Sequence, residues 1–373
     1  MKKVVSLLFA MFFVFELSAA RAGEAFNIAE VKSNTEERWQ QTYHAKGRDI
    51  AVDIEIEVPD AVRCPIFTTS FPENSEVDSS VPEYYQPLEH TREFGFRNDQ
   101  YLFGIGINSL FWPVEGEGNQ AYPQKYLNSA EIDWNAAYAE NNPFTVGEAW
   151  NFFAQEMERC YGAEASKELF LESLVLRGAM RRFNDKTSEY GEVTGVMGGY
   201  TFNCFQSFYS IPVLAGVPST FLSNATSAES KAIAPFFTAT ISNENSFDFM
   251  FMRSAIKEEK IADVPLCSFD KARAAFEGLI ESGNIRQVYT VRLGYSLFID
   301  HQKKDVLWAV PCWVAECEYY KSAKEERNPK FDKIELFEKD PNTRKLIVNA
   351  QTGELINPND KSKNRSQCPT IIK

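Results

Sequence analysis

Between Ile50 and Val58 every second residue is apolar. Ile50, Val52, Ile54, Ile56 and Val58 alternate with Ala51, Asp53, Glu55 and Glu57, and Pro59 ends the run. Only an extended chain sends successive side chains to opposite faces, so this period of two specifies a β-strand with one face in a core and the other in water. Such a strand obliges the rest of the chain to supply a sheet and a cover for its apolar face. A second strand is predicted over residues 62–70, with Pro65 marking an edge or a bulge.

Further along, Thr145-Val-Gly-Glu148 is a capping box, in which the Thr hydroxyl and the Glu carboxylate satisfy orphan N–H groups at a helix start. Trp150, Phe153 and Met157 follow on one helical face, and Gly162 suits the stop. Residues 166–183 fit either a helix or a strand. From Gly198 the texture is β, with alternation over 199–205 and 236–241, a turn at 242–246 and a return strand at 247–252. Ser268 heads a second helix whose stripe is Phe269, Ala272, Ala275, Phe276, Leu279 and Ile280, ended by Gly283. A long strand carrying Val291, Leu293, Tyr295 and Leu297 then turns through 300–305 into a return strand at 306–320. That strand holds Trp308 and Trp313, with Pro311 as a bulge, and a charged linker over 321–333 follows. Residues 23–48 read as a tether with a helical stretch over 29–41. Residues 71–143 are rich in Pro, Asn and Glu and irregular, the kind of stretch in which binding surfaces occur.

These elements predict an α+β fold of antiparallel sheets, each backed by a helix, in two similarly built halves. The first half sets the 145–161 helix on strands from 49–70 and 198–252. The second sets the 268–281 helix on strands from 285–356. The domain boundaries that follow are an N-terminal domain over 49–265, a C-terminal domain over 266–358 and a polar tail over 359–373.

Residues 1–22 read as a secretory signal peptide: Lys2 and Lys3, an apolar run over 4–15, then Ala20 and Ala22 in an A-x-A site. The run is shorter than the ~20 residues a membrane-spanning helix needs. The expected address is therefore secreted or extracytoplasmic, in a periplasm or at a cell surface, with no transmembrane span in the mature chain. The net charge is −13 for the whole chain, and removing residues 1–22 takes away three basic residues and one acidic, leaving −15. That excess of acid argues against nucleic acid and anionic lipid as partners. Seven cysteines, an odd number without any C-x-x-C pair, argue against a zinc site and read chiefly as buried small hydrophobes. No cofactor or metal is expected. Thirty phenylalanines read as an aromatic core, with a glycan- or peptide-binding groove as the alternative.

The closing segment Leu346-Ile-Val-Asn-Ala-Gln-Thr-Gly-Glu-Leu-Ile356 resembles the final strand and turn of PepSY-like modules, small extracytoplasmic α+β units. Gly353 supplies the positive φ, while Asn349 and Thr352 can bond the turn backbone. More widely, Val58-Pro59-Asp60, Gly198-Gly199-Tyr200, Leu266-Cys-Ser-Phe-Asp270, Leu293-Gly-Tyr295 and Ala309-Val-Pro-Cys-Trp313 together resemble an uncharacterised family of secreted or lipid-anchored gut-bacterial proteins. The resemblance implies a fold and a compartment and carries no catalytic residue.

Catalytic signatures are sparse. His44, His90 and His301 lie in no nucleophile context, and there is no G-x-S-x-G. Asp53, Glu55 and Glu57 share one strand face, which alternation alone explains, with Ca²⁺ as the sharper reading. Glu316 and Glu318 flank Cys317 and read as solvent-facing. Trp308 and Trp313 have opposite parity on their strand and are the candidate binding residues, since an exposed Trp is a strong partner anchor. The expectation is an exported, non-catalytic binding or regulatory protein of the cell envelope that engages a protein or peptide. The alternatives are a secreted carboxylate-dependent hydrolase of glycans or peptides, and a small-ligand carrier.

Overall fold

The structure, a computed structural model, describes residues 25–70, 91–94, 103–107, 120–121, 124–138, 144–179, 181–184, 187, 189–193, 198–218, 232–233, 236–243, 246–252, 254–300, 306–319, 343–356 and 371–372. Residues 1–22, His90, His301, residues 321–333 and most of residues 359–373 lie outside the described residues.

In chain order the elements begin with α1 (Ile28–Asn34), β1 (Arg38–Ala45), β2 (Arg48–Glu57), β3 (Ile66–Ser70), β4 (Thr91–Phe94), β5 (Phe103–Ile107), β6 (Gln120–Ala121) and β7 (Gln124–Asn128). Next come α2 (Val146–Tyr161), β8 (Leu169–Arg177), β9 (Arg181–Asn184), β10 (Glu189–Val193), β11 (Gly199–Phe208), β12 (Ile211–Ala215), β13 (Val217–Pro218), β14 (Ala232–Ile233), β15 (Phe236–Asn243), β16 (Ser246–Met252) and β17 (Ala255–Ile261). The chain ends with α3 (Phe269–Glu281), β18 (Ile285–Ile299), β19 (Leu307–Tyr319), β20 (Thr343–Asn349) and β21 (Leu355–Ile356).

The protein is mostly β, and the α+β expectation of helix-backed halves is corrected accordingly. Three α-helices occur among the described residues, against strands throughout. Two stretches that were ambiguous or polar on paper turn out to be strands. The segment read as a tether contains β1, paired with β2 from Arg38↔Glu55 to Ala45↔Arg48. Its turn is Lys46-Gly47, both left-handed at φ 51° and 73°, as a two-residue hairpin requires. The 166–183 stretch forms a short 3₁₀ turn and then β8.

The chain is built from interleaved segments, which form two compact units: one from residues 1–69, 209–217 and 256–373, the other from 70–208 and 218–255. The alternating strand β2 thus belongs with α3, not with α2.

In the first unit, β19 is hydrogen-bonded to β18 on one side and to β20 and β3 on the other. β18 in turn pairs in parallel with β2 and β12. The β18–β19 register runs without interruption from Ile299↔Leu307 to Val291↔Ala315, so Pro311 sits in ladder opposite Tyr295 and makes no bulge. Ala350 N–H donates to Pro311 C=O. A strand residue's N and C=O point to the same neighbour, so the proline's missing donor falls where the β20 ladder ends. The buried residues of α3 are Phe269, Ala272, Phe276 and Ile280, four of the six in the predicted stripe. Phe269 packs on Trp313 at 5.1 Å and on Trp39 at 5.9 Å.

In the second unit, the sheet order is β7-β8-β11-β15-β16-β5-β4. The predicted capping box is formed: Glu148 N–H donates to Thr145 Oγ1, and Thr145 N–H donates to Glu148 Oε2. α2 lies on a phenylalanine-rich core in which Phe153 meets Phe249 at 5.3 Å, Phe152 meets Phe247 at 5.1 Å and Trp150 meets Phe202 at 5.3 Å. Close aromatic pairs of this kind, two of them edge-on, add to the stabilisation from the area they bury.

β12 leaves no room for a side chain at Gly294 on β18. A Cβ there would lie 2.5 Å from Leu214 Cδ1 and 2.6 Å from Pro212 O. Gly294→Ala is therefore expected to destabilise the full chain by about 1–3 kcal/mol through overpacking, read as a lower urea midpoint with an unchanged slope.

Candidate functional site

The two tryptophans singled out by sequence are on opposite faces of β19, as their parity requires. Trp313 is fully buried against Phe269 and is a core residue. Trp308 is half-buried, and its indole N–H donates to Asp300 Oδ2 at 2.7 Å. The structure does not bring the two together.

Glu316 and Glu318 correct the expectation of a solvent face: both are buried. β19 has strands on both sides and little water on either face, so alternation no longer distinguishes inside from outside. Buried carboxylates need partners to offset lost hydration. Glu318 takes Arg286 Nη1 on one oxygen and Tyr289 Oη on the other, each at 2.6 Å. Glu316 pairs with Lys345 Nζ at 3.5 Å. Two residues apart on a strand, these acids lie about 6.6 Å from each other along its axis. With both Glu318 oxygens occupied, that carboxylate is a strut between β18 and β19.

The β2 stripe is likewise held by cations. Arg38 Nε lies 2.5 Å from Asp53 Oδ1, and that hydrogen bond holds the Asp53 carboxyl below its ordinary range. Arg292 Nε lies 2.9 Å from Glu57 Oε2. Among the described residues no group of three or more His, Cys, Asp or Glu is gathered so as to hold a metal. His44 sits exposed in β1 with Nδ1 2.7 Å from Asp49 Oδ1. The final turn is built as its residues suggest: Gly353 has φ 72°, Gln351 N–H donates to Asn349 Oδ1 at 2.8 Å, and Glu354 N–H donates to Thr352 Oγ1 at 3.2 Å.

What the sequence reading passed over is β17. It pairs with β3 on one side, and among the described residues no strand pairs with its other side. Residues 255–260 are all exposed. It is braced by a cluster around Glu259. Arg63 Nη1 donates to Glu259 Oε1 at 2.9 Å, Tyr209 Oη donates to Glu259 Oε2 at 3.0 Å, and the Arg63 guanidinium lies 4.5 Å from the centre of the Tyr209 ring. These donors, Arg63 first, hold the Glu259 carboxyl below its ordinary range, while burial and then the bond to Glu259 push the Tyr209 phenol up. Tyr209 and Ser210 are both left-handed, at φ 55° and 64°, a conformation that side-chain-bearing residues seldom adopt. The brace thus includes a backbone held off its preferred conformation. On the other face of β17, Lys260 Nζ lies 6.0 Å from the Trp308 ring and 2.5 Å from Glu258 Oε2. Trp308 therefore reaches the site as a neighbour of the edge.

No family model matches the chain, and no curated protein matches it. Among solved structures it is similar to an uncharacterised protein from Eubacterium rectale ATCC 33656, at 12% identity and a TM-score of 0.47, covering 87% of this chain and 96% of that one. Among the described residues no helix is long and apolar enough to cross a membrane.

The thiols give a test in solution. Burial pushes Cys267 up to about 11 and Cys317 up to about 12, against an ordinary value of 9.0. As pH rises the unfolded chain loses these protons first. Their contribution to stability is therefore complete below about 9 and declines as the pH climbs towards the folded-state values. The urea midpoint is expected to hold from about pH 7 to 8.5 and fall between about 9 and 11, and Cys317→Ala should make that fall shallower.

Proposed function

We propose that this is an exported, non-catalytic binding or regulatory protein of the cell envelope, which engages a protein or peptide partner by adding a strand to β17. The observation that carries the reading is the edge itself: seven residues long, paired on one side among the described residues, and exposed from 255 to 260. An edge strand presents backbone N–H and C=O groups in register, and an extended peptide can complete them. The brace of Arg63 and Tyr209 on Glu259 supports this by keeping the edge in place before a partner arrives, which lowers the ordering cost of binding. Export is supported by the make-up of residues 1–22. The carboxylate-hydrolase alternative draws less support, because both oxygens of the buried Glu318 already accept hydrogen bonds within the fold.

Proline substitution along the edge tests the reading. Successive N–H groups in β17 face opposite sides, so one of Lys257→Pro and Glu258→Pro removes an outward donor, leaves the pairing with β3 intact and spares the Glu259 brace. The mature chain is expected to retain a protein or peptide from envelope extract. The proline variant whose melting temperature matches the parent should lose that partner. Equal retention by both folded variants, or no retention at any salt concentration, would overturn the proposal.

A further inference from the structure

β17 carries the sequence Ile256-Lys257-Glu258-Glu259-Lys260-Ile261, which reads the same in both directions. Its described neighbour β3 is Ile66-Phe-Thr-Thr-Ser70 and has no charged side chain, so the four charges of β17 meet no cross-strand ion partner there. Their described partners are local: Glu258 with Lys260, and Glu259 with Arg63 and Tyr209. Exposed pairs of this kind are weak and easily exchanged for others.

The mirror symmetry has a physical consequence at a strand edge, where directly opposed side chains lie within ~5.5 Å and like charges repel. A second copy laid antiparallel in full overlap would set Lys257 against Lys260 and Glu258 against Glu259. A parallel copy would set like against like as well. A one-residue antiparallel slip places Glu258 or Glu259 against itself beside two lysine–glutamate pairs, and a two-residue slip places isoleucine against glutamate beside two such pairs. Full overlap with its own copy is therefore opposed by like charges, and slipped registers with a copy satisfy at most two lysine–glutamate pairs. The same arrangement selects for its complement. We infer that the partner segment is an extended peptide reading apolar–acidic–basic–basic–acidic–apolar. Such a segment opposes every charge of β17 with its opposite and each isoleucine with an apolar residue. Because the pattern is a palindrome, it does so in either strand direction. Charge complementarity of this sort fixes register and partner choice. The inference rests on strand addition to β17 and specifies the chemistry that strand addition would recognise there.

The test uses two fluorescent, blocked peptides with the same composition, one containing Ile-Glu-Lys-Lys-Glu-Ile and one containing Ile-Lys-Glu-Glu-Lys-Ile, titrated with the mature full-length chain at low salt. The first is expected to bind about tenfold more tightly. The gap should close towards unity in about 0.5 M salt, where charges a few ångströms apart are screened. The variant K257E/E258K, which leaves the Glu259 brace in place, should abolish the preference. If it fails to fold, the salt dependence of the parent's preference decides the matter. Equal binding of both peptides would overturn the charge pattern and leave strand addition standing. Failure of both peptides, with the proline variant still losing its envelope partner, would overturn the pattern alone. Failure of both the peptides and the proline test would overturn the edge reading as well. Dimerisation of the parent chain, seen by sedimentation and abolished by the folded proline variant, would also overturn the inference.

Discussion

The first unit is organised by one ladder, the pairing of fifteen-residue β18 with thirteen-residue β19. Every other strand of that sheet attaches to one of these two directly or through a single intermediate. The ladder decides where the proline can sit, at the end of the β20 pairing, and where glycine is required, beneath Leu214. It also explains why two glutamates lie inside. A strand flanked on both sides has few positions left in water, and the acids that fall on it survive only with Arg286, Tyr289 and Lys345 as partners.

At the rim of the same sheet the physics is reversed. β17 has charges and no apolar rhythm, and its ion pairs are exposed ones. An edge must stay soluble and yet keep its backbone available. Lysines and glutamates achieve the first without proline or a bulge, which would have sacrificed the second. Arg63 and Tyr209 keep that backbone in line through Glu259, and Lys260 leans towards Trp308.

How much of this was legible in the sequence depends on how one-sided each element is. β2 is buried on one face only, so its burial alternates as its side chains do. α2 and α3 each bury one stripe, and the Thr145–Glu148 box and the Gly353 turn are local chemistry that needs no tertiary context. β1 was not legible because only Trp39, Tyr43 and Ala45 of its eight residues are buried, too few to show a period of two. Glu316 and Glu318 were misplaced because parity says nothing about a strand covered on both faces. β17 went unnoticed for the opposite reason: with both faces in water there is no apolar periodicity to detect. Its signal was present in another form, the mirror order of its charges, which periodicity does not measure.

The interleaving of the two units has a consequence for how the chain reaches this state. β2 is joined to β18 more than two hundred residues later, at Val291↔Ile56. The second unit draws all its strands from residues 70–255. During synthesis the second unit can assemble while β2 still waits for β18 and β3 for β19. High contact order of this kind slows folding and prolongs the exposure of apolar strands such as Ile50–Ile56. In a nascent chain of this design those strands keep an apolar face uncovered until the last third emerges.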